Sequence, residues 1–394
     1  MSSQSPALRA GTAPRRRTRA LLAPAAALTA FAALAAQPAL AATSGHASTS
    51  ASHSASTSPS SRAPAAVPVA LRAAGTGHSQ YSGTVALGTF FNGSLYELHD
   101  KTRGGQKTYD MRGSSPGAPV LFTDPDNTWG DGTARNRQTA AVDAHYGAAV
   151  TWDFYRAAFG RSGPRGDGRG VNSRVHAGLG GGNAYWSDAC GCVTYEDTSD
   201  GRPFISLDIV GHEIAHGLTA ATANFLYSGE PGGLNEATSD MLATAGEFFA
   251  DNPADPGDYL IGEQIHGSAL RRMDRPSSDG RSPDYWSKDL GGMDPHYSSG
   301  PAVHFFYLLA EGSGPKVING VAYDSPTYDG SKLLGIGRDA ATRIWYHALT
   351  TYMTSTTNYA KARSATLAAA AALYGTGSPQ VNVVAATWAA VNVK

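Results

Sequence analysis

The sequence is almost without cysteine: its 394 residues include only Cys190 and Cys192, with one glycine between them. So small a number excludes a fold held together by a network of disulfides, and the core or bound ions must supply the stability instead. The two thiols are near enough in sequence to close a tight ring. They could otherwise bind a metal, but the chain has no further cysteine to complete such a site.

The chain also lacks an excess of charge of either sign. It has 31 Lys and Arg against 32 Asp and Glu, a formal net charge of -1. A balance this even gives no reason to expect binding to nucleic acid or to an anionic membrane surface. Long apolar runs are missing as well. Segment 20–36 is apolar but short, and Ala39-Leu40-Ala41 follows it as a small-residue cleavage motif, so we expect no membrane anchor.

The N-terminus has the features of an export signal. Arg9 and four arginines within 15–19 precede the apolar segment, and this order predicts a signal peptide over residues 1–41. We therefore expect a secreted, extracellular protein. The route stays open between general secretion and twin-arginine export, because Arg19 stands where the latter signal needs an apolar residue. Residues 42–75 are rich in Ser, Thr, Ala and Pro and are interpreted as a low-complexity linker or short pro-segment.

Glutamate is scarce too, and it is unevenly distributed. The chain has eight glutamates, and five of them fall between Glu213 and Glu263. The first of these five lies in the string Gly-His-Glu-Ile-Ala-His at 211–216. Histidines four apart on a helix share one face and reach the same ion, while the glutamate faces the position of a bound water. Imidazole ligands with one free coordination position are typical of catalytic zinc, so His212 and His216 are predicted zinc ligands.

A third ligand is available shortly after this motif. Glu236 and Asp240 are four residues apart at the start of a predicted helix and therefore share one of its faces. We predict that Glu236 binds the zinc and that Asp240 accepts the outer N–H of His212, which fixes the tautomer of that ring. A chance His-Glu-x-x-His string arises in on the order of one chain in a hundred of this length, and most such strings have no third ligand.

Hydrophobic periodicity divides the remaining chain into two halves. Short alternating runs and turn dipeptides predict strands in the first half, interrupted by one helix at about 140–159. The second half is rich in Ala and Leu and predicts helices over 302–311, 337–354 and 359–374. We expect an α+β fold with a β-rich domain over 76–224, which includes the zinc helix, and an all-helical domain over 225–394. The cleft between them is the expected place for a substrate.

The chain resembles the thermolysin family of secreted neutral zinc metalloproteases over nearly the whole of residues 75–394. Besides the zinc motif, four segments carry the resemblance: 141–146, 183–186, 208–213 and 335–339. The resemblance implies a mixed β and α N-terminal domain, a helical C-terminal domain and a zinc site in the cleft. It also implies an endopeptidase that acts on proteins and peptides as a monomer, with one catalytic zinc ion.

Carried over residue by residue, the resemblance implies the catalytic roles. His212, His216 and Glu236 match the zinc ligands, and Glu213 matches the general base. Zinc and Glu213 together would make hydroxide from a bound water near neutral pH. Glu213 would then pass the proton to the leaving amine, acting first as a base and then as an acid.

Two further residues match the donors to the oxyanion that forms during peptide cleavage. Tyr227 stands nine residues before Glu236, and His296 lies in the segment Asp-Pro-His-Tyr-Ser at 294–298. The family has a carboxylate partner for this histidine a few residues upstream, but the loop is longer here. Asp289 and Asp294 could both serve, and we favour Asp289.

The resemblance also implies how a peptide is held. The groups that match the family's contacts to the substrate backbone are Asn183, the main chain of Ala184 and Arg271. The walls of the pocket after the cut bond are matched by Phe204, Leu207, Ile209 and Leu270. Because these four side chains are apolar, we expect cleavage on the amino side of Leu, Phe, Ile or Val.

Calcium is the second ion that the resemblance implies. The carboxylates that match the family's site beside the cleft are Asp208, Glu247, Asp258 and Glu263, and oxygen ligands of this kind suit calcium. The family's double site needs another carboxylate where this chain has Leu260, so we expect one ion there. Asp124 and Asp126 form either a further calcium site or a turn without an ion.

Two other classes of protein are alternatives to a protease. A family member without activity would bind both metals and hold peptides uncut, but the intact Glu213, Tyr227 and His296 argue against it. An adhesion module is suggested by the Ser- and Thr-rich linker, but no repeat or carbohydrate-stacking aromatic cluster supports it. The family's members are made as zymogens with a long pro-domain, and the few tens of residues in 42–75 do not indicate how this chain would be restrained.

Overall fold

The computed structural model describes residues 75–113 and 117–394. The predicted signal peptide and all but the last residue of the predicted linker lie outside the described residues. Within the described ranges, no helix is both long and apolar enough to span a lipid bilayer.

Short strands and one long helix build the first half. The strands are β1 Gly75–His78, β2 Thr84–Leu87, β3 Phe90–Phe91, β4 Tyr96–Glu97, β5 His99–Asp100, β6 Gln106–Asp110, β7 Val120–Leu121, β8 Thr123–Asp124, β9 Thr128–Trp129, β10 Asn172–Val175, β11 Leu179–Gly180, β12 Ala184–Ser187, β13 Cys192–Tyr195 and β14 Asp197–Thr198. The largest sheet has the order β12-β13-β10-β6-β5, with β7 beside β6, so β12 is an edge strand. Cys190, in the turn between β12 and β13, forms a disulfide with Cys192 at the start of β13, which is the tight ring that their spacing allowed.

The helices occupy mainly the second half. They are α1 Arg137–Phe159, α2 Leu207–Ala220, α3 Gly229–Ala250, α4 Glu263–His266, α5 Pro295–Ser298, α6 Gly300–Glu311, α7 Arg338–Thr351, α8 Tyr359–Tyr374 and α9 Pro379–Ala390. Helix α1 starts three residues before the predicted position, because the side chain of Asn136 caps it by accepting the amide of Gln138. It ends at Gly160, whose φ of 65° is the left-handed conformation that favours glycine.

Helices α2 and α3 lie unusually close to each other, and this contact positions the candidate site. A Cβ atom on Gly211 would stand 3.1 Å from the Cα atom of Ala243, which is tighter than ordinary contact, so glycine favours the close approach of the two backbones at this point. Gly211 is the residue before His212. The approach therefore brings the histidine face of α2 directly against the carboxylate face of α3.

The fold class is confirmed: a β-rich first half is followed by a helical second half. The second half also contains the antiparallel pairs β15 Leu260–Ile261 with β16 Arg271–Arg272, and β17 Gly314–Ile318 with β18 Val321–Ser325, which the periodicity did not predict. The second pair turns at Asn319 and Gly320, whose φ angles of 46° and 88° are those of a two-residue hairpin turn. An Asn-Gly pair is the sequence signal for such a turn.

The core of the second half is aromatic and lies behind α3. Phe305 on the buried helix α6 stacks on Trp388 of α9 at 3.8 Å between ring centroids. Trp345 of α7 donates from its indole to Thr238 on α3 at 3.1 Å. Such buried aromatic residues contribute much of the apolar area removed from water. The indole of Trp345 joins this aromatic core to α3.

Candidate metal centre and active site

Three predicted zinc ligands converge between α2 and α3. His212 and His216 are one helical turn apart on α2, and their Nε2 atoms point at the carboxylate of Glu236 on α3. The distances are 3.3 Å from His212 to Oε2 and 3.5 Å from His216 to Oε1. One ligand atom from each residue lies within 4.8 Å of the other two, which makes this group suitable for a metal ion.

The outer nitrogen of each ring is held by α3. The Nδ1 atom of His212 lies 2.8 Å from Asp240, as the spacing predicted. The Nδ1 atom of His216 lies 2.8 Å from the side-chain oxygen of Asn235 and 3.2 Å from Ser239. These acceptors favour the proton on Nδ1 and leave the Nε2 lone pairs free for a metal. Asn235 and Ser239 were not predicted, although they too are four apart on the helix.

Asp240 binds a second partner besides the histidine. Arg271 donates to it through Nε at 2.8 Å and Nη2 at 2.7 Å. Burial alone would raise the pKa of Asp240, but Arg271 and then His212 outweigh it and lower the pKa to about 2. Asp240 is therefore ionised at neutral pH. The guanidinium of Arg271, expected to bind substrate, is engaged with this carboxylate.

The electrostatics of Glu236 fit a bound cation. Its Oε2 atom is buried and has no hydrogen-bond partner among the described residues. Burial opposes ionisation, but the charges of His216 and His212 keep the pKa of Glu236 well below its usual value. A buried carboxylate oxygen without a donor is costly unless a cation neutralises it. Two imidazole nitrogens and one carboxylate form a donor set that suits zinc.

The predicted oxyanion donors lie on the outer side of the same group. Tyr227 is about half-exposed, and its hydroxyl donates to the Glu236 carboxylate. The Nε2 atom of His296 lies 3.5 Å from that hydroxyl and 3.7 Å from Glu236 Oε2. Burial and the Glu236 charge raise the pKa of Tyr227 well above its usual value, so the hydroxyl keeps its proton. Glu213 lies on α2 next to His212 and is buried at 7% exposure.

The carboxylate partner of His296 is Asp294, and the preference for Asp289 was wrong. Asp294 Oδ1 lies 2.8 Å from His296 Nδ1 and also accepts the amide of His296 at 3.0 Å. The reason is that α5 begins at Pro295. Asp294 is thus the capping residue, and a cap's carboxylate reaches the second residue of its helix. Asp289 lies in the separate helical turn Lys288–Gly292.

The edge strand β12 is held beside the histidines by an aromatic contact. The indole of Trp186 packs over Gly217, where a Cβ atom would stand 2.5 Å from Trp186 Cζ2. Gly217 directly follows His216 on α2. Ala184 is the first residue of this strand and Asn183 directly precedes it, and both are expected to bind the substrate backbone. This contact was not predictable from the sequence, because no spacing connects a tryptophan on a strand to a distant glycine.

The apolar residues expected after the cut bond differ in their surroundings. Leu270 and Arg271 line a cavity of about 590 Å³. Phe204 is half-buried, whereas Leu207 and Ile209 are buried in the first turn of α2 and do not line this cavity. Their role as pocket walls stays a prediction.

A second group of carboxylates lies where the end of α3 meets α4. Ligand atoms of Glu247, Asp255 and Glu263 lie within 4.8 Å of one another. Asp258 adjoins them, since its amide donates to Glu247 Oε2 at 3.0 Å. Asp208, at the start of α2, lies near enough for its charge to raise the pKa of Glu247. Asp255 was not predicted, because it lies in an irregular segment where no periodicity relates it to Glu247.

The carboxylates of this group repel one another. Burial, and next the charge of Asp208, raise the pKa of Asp255 to about 7 and that of Glu263 to about 9. The pKa of Glu247 is raised well above its usual value by the same causes. One oxygen each of Asp255 and Glu263 is buried without a hydrogen-bond partner in the described structure. A divalent cation would relieve this repulsion, and oxygen donors suit calcium.

Asp124 and Asp126 form a turn rather than a comparable group. One oxygen of Asp124 accepts the amides of Asp126 and Asn127, each at 2.9 Å. The other accepts the side-chain amide of Gln138 at 3.0 Å. The turn alternative is therefore favoured, and no third carboxylate of the described residues joins this pair.

Comparison with known proteins agrees with this architecture. The family model for the catalytic domain of thermolysin metallopeptidases matches residues 74–220, and the model for their alpha-helical domain matches residues 223–393. The chain belongs to the thermolysin metallopeptidase family.

Individual relatives extend over most of the chain. It is 58% identical over 323 residues to the transglutaminase-activating metalloprotease of Streptomyces mobaraensis, which covers 81% of this chain and 42% of that protein. It is 38% identical over 336 residues to bacillolysin of Bacillus cereus, covering 81% and 55%. The solved precursor of protealysin, a metalloproteinase from Serratia proteamaculans, aligns with a TM-score of 0.56 and 25% identity over 78% of this chain and 90% of that chain. The chain spans about half the length of the curated relatives it matches.

Proposed function

We propose that this chain is a secreted zinc-dependent endopeptidase that cuts peptide bonds on the amino side of large apolar residues. The observation that carries the proposal is the convergence of two imidazole nitrogens and a buried, unpartnered carboxylate oxygen on one space. Asp240 and Asn235 hold the rings in the orientation that a metal needs. Membership of the thermolysin metallopeptidase family supports the same activity.

In this proposal His212, His216 and Glu236 hold one zinc ion. When bound, the ion supplies Lewis acidity and lowers the pKa of water to about 7. Glu213 accepts the proton of the attacking water and delivers it to the leaving amine. The remaining catalytic groups stabilise the charge that develops on the substrate oxygen.

Tyr227 and His296 are the donors to that oxygen. The raised pKa of Tyr227 keeps its hydroxyl protonated, and Asp294 orients the His296 ring through Nδ1. Removing one such donor typically lowers the rate by about 10²–10³. Tyr227→Phe should therefore reduce kcat far more than Tyr297→Phe, a control whose hydroxyl bonds only to Arg281 among the described residues.

The general base is tested by Glu213→Gln. We expect loss of casein hydrolysis with zinc content still near one per chain, because Glu213 is not a ligand in this arrangement. Equal activity of the variant and the unaltered chain would refute the assignment. Zinc bound without cleavage of any peptide by the unaltered chain would instead support an inactive, peptide-holding member of the family.

We also propose a structural calcium site formed by Asp208, Glu247, Asp258 and Glu263, to which the geometry adds Asp255. The expected number stays at one ion, and direct titration of the metal-free chain counts it. Asp255→Asn should weaken calcium binding and lower the thermal midpoint at limiting calcium, while saturating calcium restores it. A midpoint that is high and insensitive to chelator would contradict the site.

The remaining expectations are part of the same proposal. The substrates are proteins and peptides, and the chain acts as an extracellular monomer with domains over 76–224 and 225–394. The limits of the two matched family regions support this division. Sedimentation of the purified chain at increasing concentration tests the monomer.

A further inference from the structure

Glu196 lies between two groups that the proposed enzyme would place against its substrate. Its amide donates to the carbonyl of Asn183 at 2.8 Å, and its carbonyl accepts the amide of Phe204 at 3.2 Å. Asn183 is at the start of the proposed substrate-binding strand, and Phe204 is a proposed wall of the pocket after the cut bond. Glu196 therefore adjoins the part of the substrate that follows the cut bond.

The Glu196 carboxylate occupies space that a glycine-rich loop leaves open. A Cβ atom on Gly181 would overlap Glu196 Oε2, and one on Gly178 would stand 3.5 Å from Glu196 Cδ and Oε1. Neither glycine has a positive φ angle, so their conformation does not require glycine. What these two positions provide is room for the carboxylate.

Glu196 is also an uncompensated charge. It is half-buried, and in the part of the chain that the structure describes its carboxylate forms no ion pair and no hydrogen bond. The charges next to it in sequence are paired: Asp197 with His176 at 2.8 Å and Asp200 with Arg202 at 2.7 Å. One negative charge is thus left beside the substrate-binding edge. Partial burial reduces the screening of that charge by salt.

We propose that Glu196 is a specificity-determining residue that selects Lys or Arg downstream of the apolar residue after the cut bond. This inference rests on the proposed peptidase function. A peptide that adds to an edge strand is extended, and its successive side chains point to opposite sides. When the first residue after the cut fills the apolar pocket, one of the next two residues reaches Glu196. The substrate class is an apolar residue followed closely by a basic one.

The test uses peptides with a fixed Leu after the cut bond and Lys, Gln or Glu at each of the next two positions. For the unaltered chain we expect kcat/KM at one of these positions to be highest for Lys, lower for Gln and lowest for Glu. Each of these two changes should lower kcat/KM by about two- to fivefold. Glu196→Gln should remove this order and Glu196→Lys should reverse it. Gly181→Ala should weaken it, because the added methyl group displaces a carboxylate that is still present.

Glu97→Gln is the matched control, since it removes the same charge from β4, in a different sheet. It should leave the order of the three peptides unchanged. The inference is overturned if the Lys and Glu peptides are cut equally at both positions, or if the preference persists in both Glu196 variants. If the zinc-loaded chain does not cut even the Gln peptides, the proposed peptidase function is overturned as well. Cleavage of the Gln peptides therefore distinguishes a failure of the Glu196 inference from a failure of the proposed function.

Discussion

Asp240 joins His212 to the half-buried Arg271, and Asp240→Asn tests both contacts in a single change. The carboxylate is fully buried, and the Arg271 side chain that it binds is 17% exposed. Asparagine keeps one oxygen for His212, but its NH₂ group would face the Arg271 donor that now bonds to the second oxygen. Removing one partner of a buried ion pair typically destabilises a protein by about 3–5 kcal/mol. We expect about 3 kcal/mol here, since one acceptor remains.

Zinc binding should weaken at the same time. Loss of the carboxylate behind a metal-bound histidine typically reduces metal affinity by about 10–100-fold. Urea unfolding in metal-free buffer measures the first effect, and competition with a chromophoric chelator measures the second. Asp110→Asn is the control, because Arg137, the partner of Asp110, is 48% exposed, and such a pair contributes at most about 1 kcal/mol.

A double variant distinguishes the two roles of Asp240. Asp240→Asn with Arg271→Met leaves no unpaired buried charge, so most of the lost stability should return while zinc affinity stays low. Recovery of zinc affinity together with stability would mean that Asp240 acts on the metal site only through the packing of α2 and α3. If Asp240→Asn destabilises the protein no more than Asp110→Asn does, the Asp240–Arg271 pair does not contribute the stability expected of it, and the prediction is refuted.

The remaining predictions concern packing and pH. Burial raises the pKa of Asp143 to about 7, although the Ser79 hydroxyl and nearby amides oppose this. Because this pKa lies above that of the unfolded chain, the free energy of unfolding should fall by about 3 kcal/mol as the pH rises from 4 to 7. Asp143→Asn should abolish this part of the pH dependence in urea unfolding at saturating calcium, and an unchanged pH dependence would contradict the prediction. Gly217→Ala places a methyl group against the indole of Trp186 and should destabilise the protein by about 1–3 kcal/mol while lowering kcat/KM. If instead Gly217→Ala is neutral in both measurements, β12 is not held against α2 by this contact.

The candidate site divides into parts that spacing predicts and parts that it does not. A helical period of 3.6 residues makes His212 and His216, and likewise Glu236 and Asp240, neighbours on one face. These pairs were therefore predictable from their separation, as was the contact between His212 and Asp240. The choice between Asp289 and Asp294 was not, because it depended on where a short helix begins in a loop without periodicity.

By itself, the sequence determined the order of a β-rich and a mainly helical half and the donor atoms on each helix face, because these follow from local periodicity and residue chemistry. Tertiary structure alone decided that Asn235 holds His216, that Arg271 binds Asp240 and that Asp255 joins the second carboxylate group. These contacts depend on the distance and rotation between elements that are far apart in the chain. Close approaches such as Gly211 to Ala243 set that distance, and no single segment contains the information to predict it.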